Sequence, residues 1–472
     1  MDAMARYSNI QPKSHKDSDE VPYFYHSEHE FAPMYLLMIA VFILGYAAIA
    51  FEHNLKIDKA AAALVTGVLC WTIYLFGGAE LHEAEHALLE HLSEISGILF
   101  FLLGAMTIVE VVDAHEGFAV ITDRIKTKNV RSLLWTIAIL TFFFSAILDN
   151  LTTSIVMISL LRKLVKDQNT RWLFAGVVVI SANAGGAFSP IGDVTTTMLW
   201  IGGQVTTMNI IAYIFLPSVV CMLVPLMYLS LTMKGDVERP VQNTDRGHAA
   251  RISKGEQVTV LIAGVAGLLF VPIFKTLTHL PPFMGMMLSL GVIWLLTDIM
   301  HRQKADSIRR SIGVLGVLRK VDTPSVLFFL GILLAVASLQ TGGQLKDLAL
   351  GLDHSIGTDT QGGIYLVGSI IGVLSAIVDN VPLVAASMGM YPIADIGYFA
   401  QDDLFWKFLA FCAGTGGSLL IIGSAAGVAV MGLEHIPFGW YVKKISFLAL
   451  LGYVAGIGAY ILQRYIIFGS AF

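Results

Sequence analysis

The stretch SAILDNLTT, Ser145–Thr153, occurs a second time as SAIVDNVPL, Ser375–Leu383, and the two aspartates, Asp149 and Asp379, lie 379 − 149 = 230 residues apart. Each copy sets an Asp-Asn pair, Asp149–Asn150 or Asp379–Asn380, and an upstream serine, Ser145 or Ser375, into a long apolar run. A charged side chain at the centre of a bilayer costs roughly 2.5 to 3.5 kcal/mol on insertion scales, so residues of this kind are rare and mark function. Two such pairs at one spacing imply a duplicated architecture organised around them.

Apolar residues make up 56% of the 472 positions and charged residues 14%, against roughly 25% charged in an average soluble domain. The chain reads as an all-α polytopic membrane protein. Its Lys and Arg lie in short loops and form no basic face, which argues against a nucleic-acid partner. Cys70, Cys221 and Cys412 sit in apolar stretches without CxxC spacing and read as small core packers. Residues 1–32 lack the basic-then-apolar order of a cleavable signal peptide and read as a polar tail.

Apolar runs of about 17 or more residues can span a bilayer. They fall at 33–51, 59–76, 95–112, 209–233, 257–275, 283–299, 325–342 and 440–466, with interrupted spans at 171–202 and 405–433. The block 131–165 is flanked by Arg124, Lys126, Lys128 and Arg131 on one side and by Arg162, Lys163, Lys166 and Arg171 on the other. Both flanks therefore look cytoplasmic. Arms of about 15 residues are short for a crossing, so the block reads as a re-entrant hairpin with Asp149 and Asn150 at its tip. Its counterpart, 363–391, has flanks poor in positive charge and reads as a hairpin entering from outside. Each half, 33–233 and 257–472, then holds five crossings and one hairpin, joined by a cytoplasmic linker at 234–256. An odd number of crossings inserts the second half upside down. Inverted repeats with two discontinuous helices are the usual build of secondary transporters, whose site lies near the midplane. On this topology both termini lie on the outer, periplasmic side of the cell (inner) membrane.

A second motif pair repeats as well. ANAGGAFSPIGD, Ala182–Asp193, aligns with AGTGGSLLIIGS, Ala413–Ser424, at an offset of 413 − 182 = 231, matching Gly185, Gly186 and Gly192 with Gly416, Gly417 and Gly423. Glycine pairs and Pro190 weaken the helix, and unwound backbone at membrane depth must be buried in protein or line a watery cavity. Freed carbonyls, with the side chains of Asn183, Ser189, Asp193, Thr195, Thr196 and Ser418, form an oxygen-rich shell suited to a small hard cation. Asp149, Asp193 and Asp379 could place three negative charges there, and no Lys or Arg lies within the same segments to pair them. A carboxylate in apolar surroundings favours its protonated form unless a cation is near. An empty site would hold a proton and surrender it to an arriving ion, which is enough for exchange. Asp193 is matched by Ser424, so the halves contribute unequally.

These motifs together, SANAGGAFSPIGDVTTTMLW, SAILDNLTT, FEHNLKIDKAAAAL and GGSLLIIGSAAGVAVMG, resemble the NhaD-type Na+/H+ antiporters of the ion-transporter superfamily over nearly the whole chain from about residue 33. The resemblance implies exchange of Na+ or Li+ for H+ by alternating access, an inverted-repeat fold and a homodimer with a scaffold and a moving transport unit. It places the family's polar transport residues on Ser145, Asp149, Asn150, Asn183, Asp193, Thr195, Thr196, Ser375, Asp379, Asn380, Ser418 and Ser424. No cofactor beyond the transported ions, and no enzymatic activity, is expected.

Further titratable groups stand apart. Glu94 and Glu110 lie at the two ends of the third span and are solvated helix-end acids or parts of a proton path. HEAEHALLEH, His82–His91, satisfies the HExxH zinc pattern through His82, Glu83 and His86. It falls in the outside loop, is polar on most sides and has no convincing third ligand, so no zinc is expected; the stretch reads first as a solvated helix with no special task and second as a pH-responsive segment. The alternatives to antiport are an anion carrier for dicarboxylate or arsenite and, remotely, an intramembrane zinc metalloprotease.

Overall fold

The computed structural model describes residues 32–240, 252–304, 312–377 and 379–468. The polar tail except Ala32, and residues 241–251 of the linker, lie outside them. The described residues are helical, and eight helices among them are long and apolar enough to cross a bilayer. In the first half run α1 (Ala32–Ala50), α2 (Lys59–Phe76), α3 (Leu81–Ala114), α4 (Val130–Leu148), α5 (Asn150–Leu164), α6 (Gln168–Ala187), α7 (Val194–Ile201) and α8 (Thr207–Thr232). In the second run α9 (Lys254–Thr278), α10 (Pro282–Met300), α11 (Thr323–Thr341), α12 (Gln344–Ile356), α13 (Gln361–Leu374), α14 (Asn380–Met390), α15 (Leu404–Gly416), α16 (Ala425–Glu434) and α17 (Phe447–Phe468). Side chains such as Leu44, Val68, Ile262, Leu295 and Ile466 are exposed. On a soluble monomer so many would make large sticky patches; on a multi-pass membrane protein they face lipid.

Helix starts follow ordinary capping chemistry. Asp58, Asn129, Asp167, Ser253, Asp322 and Thr360 each accept a backbone N–H in the first turn of the following helix, satisfying donors that the helix itself cannot. Two lengths differ from the sequence expectation. α3 takes in HEAEHALLEH and has 34 residues, so this stretch is a solvated helix that runs on without a break into the third span: no Pro interrupts the run to Ala114, and Gly97 and Gly104 are accommodated within the helix. α4 has 19 residues and is itself long enough to cross, because Asn129 caps it before Arg131.

Both ends of the α4–α5 pair dock on one segment. Arg131 at the start of α4 donates to the Met233 carbonyl at 2.9 Å, and Lys166, just past α5, lies 3.4 Å from Glu238. Both ends of the α13–α14 pair meet at Asp353: Thr358 and, at 3.4 Å, Tyr391 each donate to its carboxylate. Tyr391 stacks on Phe399 with ring centres 4.4 Å apart, and the same loop brings Asp402 to Thr206 and Asn209 at the start of α8. Met233, in contrast, closes the far end of α8.

Helices approach through small residues, as they must in hydrocarbon, where apolar burial alone gives no drive to associate. A Cβ on Gly67 of α2 would stand 2.6 Å from the Gly331 carbonyl of α11, and one on Gly331 would stand 2.4 Å from the Ala63 backbone.

Candidate functional site

The glycine-rich breaks and the two Asp-Asn junctions meet in a buried centre. Ser145 donates to the Ala182 carbonyl at 2.6 Å, and Ser375 donates to the Ala413 carbonyl at 2.9 Å. A Cβ on Gly185 would clash with the Phe142 carbonyl, and one on Gly416 with the Gly372 carbonyl. Gly192 packs on Ser145 and Ala146, Gly423 on Ser375 and Ala376, while Gly186 and Gly417 lie against Gly192 and Gly423. Every contact thus recurs at an offset of 230 or 231. The serines and glycines clamp each junction to a broken helix, so Ser145 and Ser375 spend their hydroxyls on helix carbonyls.

Within this frame one polar cluster forms around Asp193, which is 2% exposed. Its Oδ1 accepts the Thr195 amide at 3.0 Å and the Thr195 hydroxyl at 2.9 Å. The side-chain amide of Asn150 donates to Oδ2 at 2.8 Å and that of Asn380 at 3.3 Å. Asn150 also donates to Asn183 Oδ1 at 3.1 Å, and Asn183 donates to Ser418 at 2.9 Å and Ser424 at 3.0 Å. Thr196 is buried, and its hydroxyl has no hydrogen-bond partner. The break in the first half thus supplies the acid, and both junctions supply an asparagine to it.

Asp149 and Asp379 do not bond to Asp193. Asp149 caps α5, accepting the Thr152 amide at 2.7 Å and the Thr152 hydroxyl at 2.8 Å. Asp379 caps α14 through the Val381 amide at 3.4 Å. No Lys or Arg lies within the same segments as these acids, and the cation at the second one comes from another helix: Lys59 of α2 brings its ammonium to 3.4 Å from Asp379. That lysine lies 320 residues away in the chain, beyond any local pattern. Sequence reading also passed over Gly414, which takes the place of Asn183 at the 231-residue offset; a Cβ there would come within 3.8 Å of Asp193 Oδ2. The tighter contact of that Cβ, at 3.0 Å, would be with the Ala187 side chain.

Four helix amino ends, those of α5, α7, α14 and α16, therefore converge, capped by Asp149, Asp193, Asp379 and Ser424. An uncapped helix amino end attracts anions. Three carboxylates of the chain itself fill that role here.

The remaining sequence candidates lie elsewhere. Glu94 is exposed on α3, and Glu110 is half-buried with Lys320 at 3.9 Å. Among the described residues no hydrogen bond joins either to Asp193. His82, Glu83 and His86 are exposed on the first turns of α3, and among the described residues no group of three or more His, Cys, Asp or Glu could hold a metal ion.

The chain is 50% identical to sodium/proton antiporter 1 of Arabidopsis thaliana over 424 residues, which cover 90% of this chain and 72% of that protein. It is 47% identical to sodium/proton antiporter 2 of the same organism over 429 residues, 90% of this chain and 98% of that one. The chain belongs to the NhaD-type Na+/H+ antiporter family. With the Na+/H+ antiporter NhaD of Alkalimonas amylolytica it shares 30% identity over 457 residues, covering 90% of this chain and 89% of that relative. A family model described as citrate transporter matches residues 46–407. This NhaD-type chain is a member of a transporter family and not of an enzyme family. Both Asp-Asn junctions, Asp193 and Lys59 fall inside the matched range, while the second break, Ala413–Ser424, falls beyond it.

Proposed function

We propose that the protein exchanges Na+ or Li+ for H+ across the membrane by alternating access, with Asp193 as the carboxylate that holds one cation at a time. The observation that carries this reading is the meeting of Asn150 and Asn380, from two different halves, on the one buried acid. An asparagine amide presents a donor on one end and an acceptor on the other. Turned as found, the two amides donate to Asp193; turned over, they offer oxygen to a bound ion beside the carboxylate, with Ser418 and Ser424 behind Asn183. Proton and metal ion then alternate on one group.

The docking of hairpin ends supports two re-entrant hairpins. The ends of α4–α5 share the 233–239 segment, those of α13–α14 share Asp353, and these two places lie at opposite ends of α8. Hairpins entering from opposite faces belong to an inverted repeat of 33–233 and 257–472. Placement in the cell (inner) membrane with both termini outside, and assembly as a homodimer, complete the proposal.

The anion-carrier alternative gains from the citrate description of the matching family model. Three carboxylates on four converging helix amino ends weigh against it. The test is a pH gradient held across proteoliposomes: added Na+ or Li+ should dissipate it, and citrate or a dicarboxylate should not. The converse result would replace antiport by anion transport.

A further inference from the structure

The ammonium of Lys59 lies 3.4 Å from Asp379 Oδ2 and 4.5 Å from the centre of the Phe328 ring, with side chains of Lys59 and Asp379 only 21% and 14% exposed. Lys59 opens α2, Phe328 is fully buried on α11, and Asp379 opens α14. The lysine is thus seated from three sides. An aromatic face and a carboxylate together are what a cation site offers, and here the cation is part of the chain. The hydroxyl of Tyr46 on α1, buried and without a hydrogen-bond partner, lies within electrostatic reach of the same carboxylate. Asp149, the counterpart of Asp379, has no such partner; its oxygens are taken by Thr152.

We infer that Lys59 is a tethered competitor for the cation at the second junction: its ammonium occupies the position at Asp379 that a transported ion would take, and an ion reaching that carboxylate must displace it. Displacement leaves the ammonium over Phe328 and opens an oxygen site made by Asp379 and the idle Tyr46 hydroxyl. Lys59 thereby sets how tightly the centre holds its ion, and keeps a bound ion from staying too long. This assignment rests on the cation-exchange reading above.

Two measurements separate the two claims. Exchange in proteoliposomes tests antiport; the Na+ concentration that gives half-maximal thermal stabilisation of the purified protein tests Lys59. Lys59→Met should lower that concentration about fivefold, equivalent to about 1 kcal/mol, and slow the maximal exchange rate. Lys59→Arg, with the charge retained and a fork that grips a carboxylate with two hydrogen bonds, should leave it unchanged or raise it. In an Asp379→Asn background the Lys59→Met change should have no further effect. A half-maximal concentration unmoved or raised in Lys59→Met, or lowered in Lys59→Arg, overturns the assignment while leaving antiport standing. If Lys59→Met does not fold, Lys59→Gln takes its place in the same measurement, with the same lowering expected and the same overturning results. Wild-type protein that responds to Na+ in neither assay overturns both.

Discussion

The junctions at Asp149 and Asp379 share a sequence, a spacing and a clamp, yet their aspartates live differently. Asp149 has φ 86° and ψ 160°, a region that essentially only glycine occupies without a penalty of about 1 to 3 kcal/mol. Asp379 has φ −45° and no such strain, but it carries a lysine. One junction holds its acid by backbone geometry and two bonds from Thr152; the other holds it by an ion pair brought from a distant helix. The breaks differ in the same sense, with Asn183 and Asp193 in the first facing Gly414 and Ser424 in the second. A duplicated scaffold thus supports a centre whose charge comes mostly from one half, and each substitution below tests that inequality.

The largest effect belongs to the unmatched acid. Asp193→Asn keeps an acceptor for Thr195 and nearly the same volume, so the protein should fold, but its Na+-driven proton flux should fall by at least about 100-fold, the equivalent of about 2.7 kcal/mol. Ser424→Ala, at the matching position, should cost no more than about threefold, roughly the worth of a single neutral hydrogen bond. Comparable losses in proteoliposome exchange would mean that the two breaks contribute alike.

Next come the two junction acids. Asp149→Asn should cost about 100-fold in exchange, since no cation stands by to replace its charge. Asp379→Asn should cost less, about tenfold, because Lys59 already offsets that charge in the resting protein; the factors correspond to about 2.7 and 1.4 kcal/mol. Full activity in both variants would remove these carboxylates from the mechanism.

The asparagines follow, ranked by their distances. Asn150 reaches Asp193 at 2.8 Å and also Asn183, whereas Asn380 reaches it only at 3.3 Å. Hydrogen bonds to an ionised group contribute about 1.5 to 3 kcal/mol and weaken as they lengthen. Asn150→Ala should therefore raise the half-saturating Na+ concentration by about tenfold and Asn380→Ala by about threefold. The reverse order in a Na+ titration of exchange would show that the second junction dominates ion contact.

Much of this was legible beforehand. The repeat of SAILDN with SAIVDN, and of ANAGG with AGTGG, located both junctions and both breaks, because steric closeness at Gly185 and Gly416 demands glycine and leaves a mark in the sequence. The unmatched Asp193 could be read from the alignment of the two halves. What stayed hidden depends on contacts far apart in the chain: Lys59 on Asp379, the asparagines of both halves on one acid, and the spending of Ser145 and Ser375 on carbonyls. The solvated helix expected at HEAEHALLEH is there, but its continuity with the third span was not legible, because the change from polar to apolar residues carries no Pro to mark a boundary.

The smallest effect is also the sharpest on the junctions, because one substitution should have opposite signs. Replacing a capping aspartate by glycine costs only a few tenths of a kcal/mol as capping goes. At Asp149 it also releases a strained backbone, so Asp149→Gly should raise the thermal stability of the purified protein by about 1 kcal/mol while exchange is lost. At Asp379 no strain is released and Lys59 loses its partner, so Asp379→Gly should destabilise by about 1 kcal/mol. Thermal unfolding of the two variants in one detergent reads both signs. If both were destabilised alike, the backbone at Asp149 would be relaxed as it stands, and the difference between the junctions would reduce to the lysine alone.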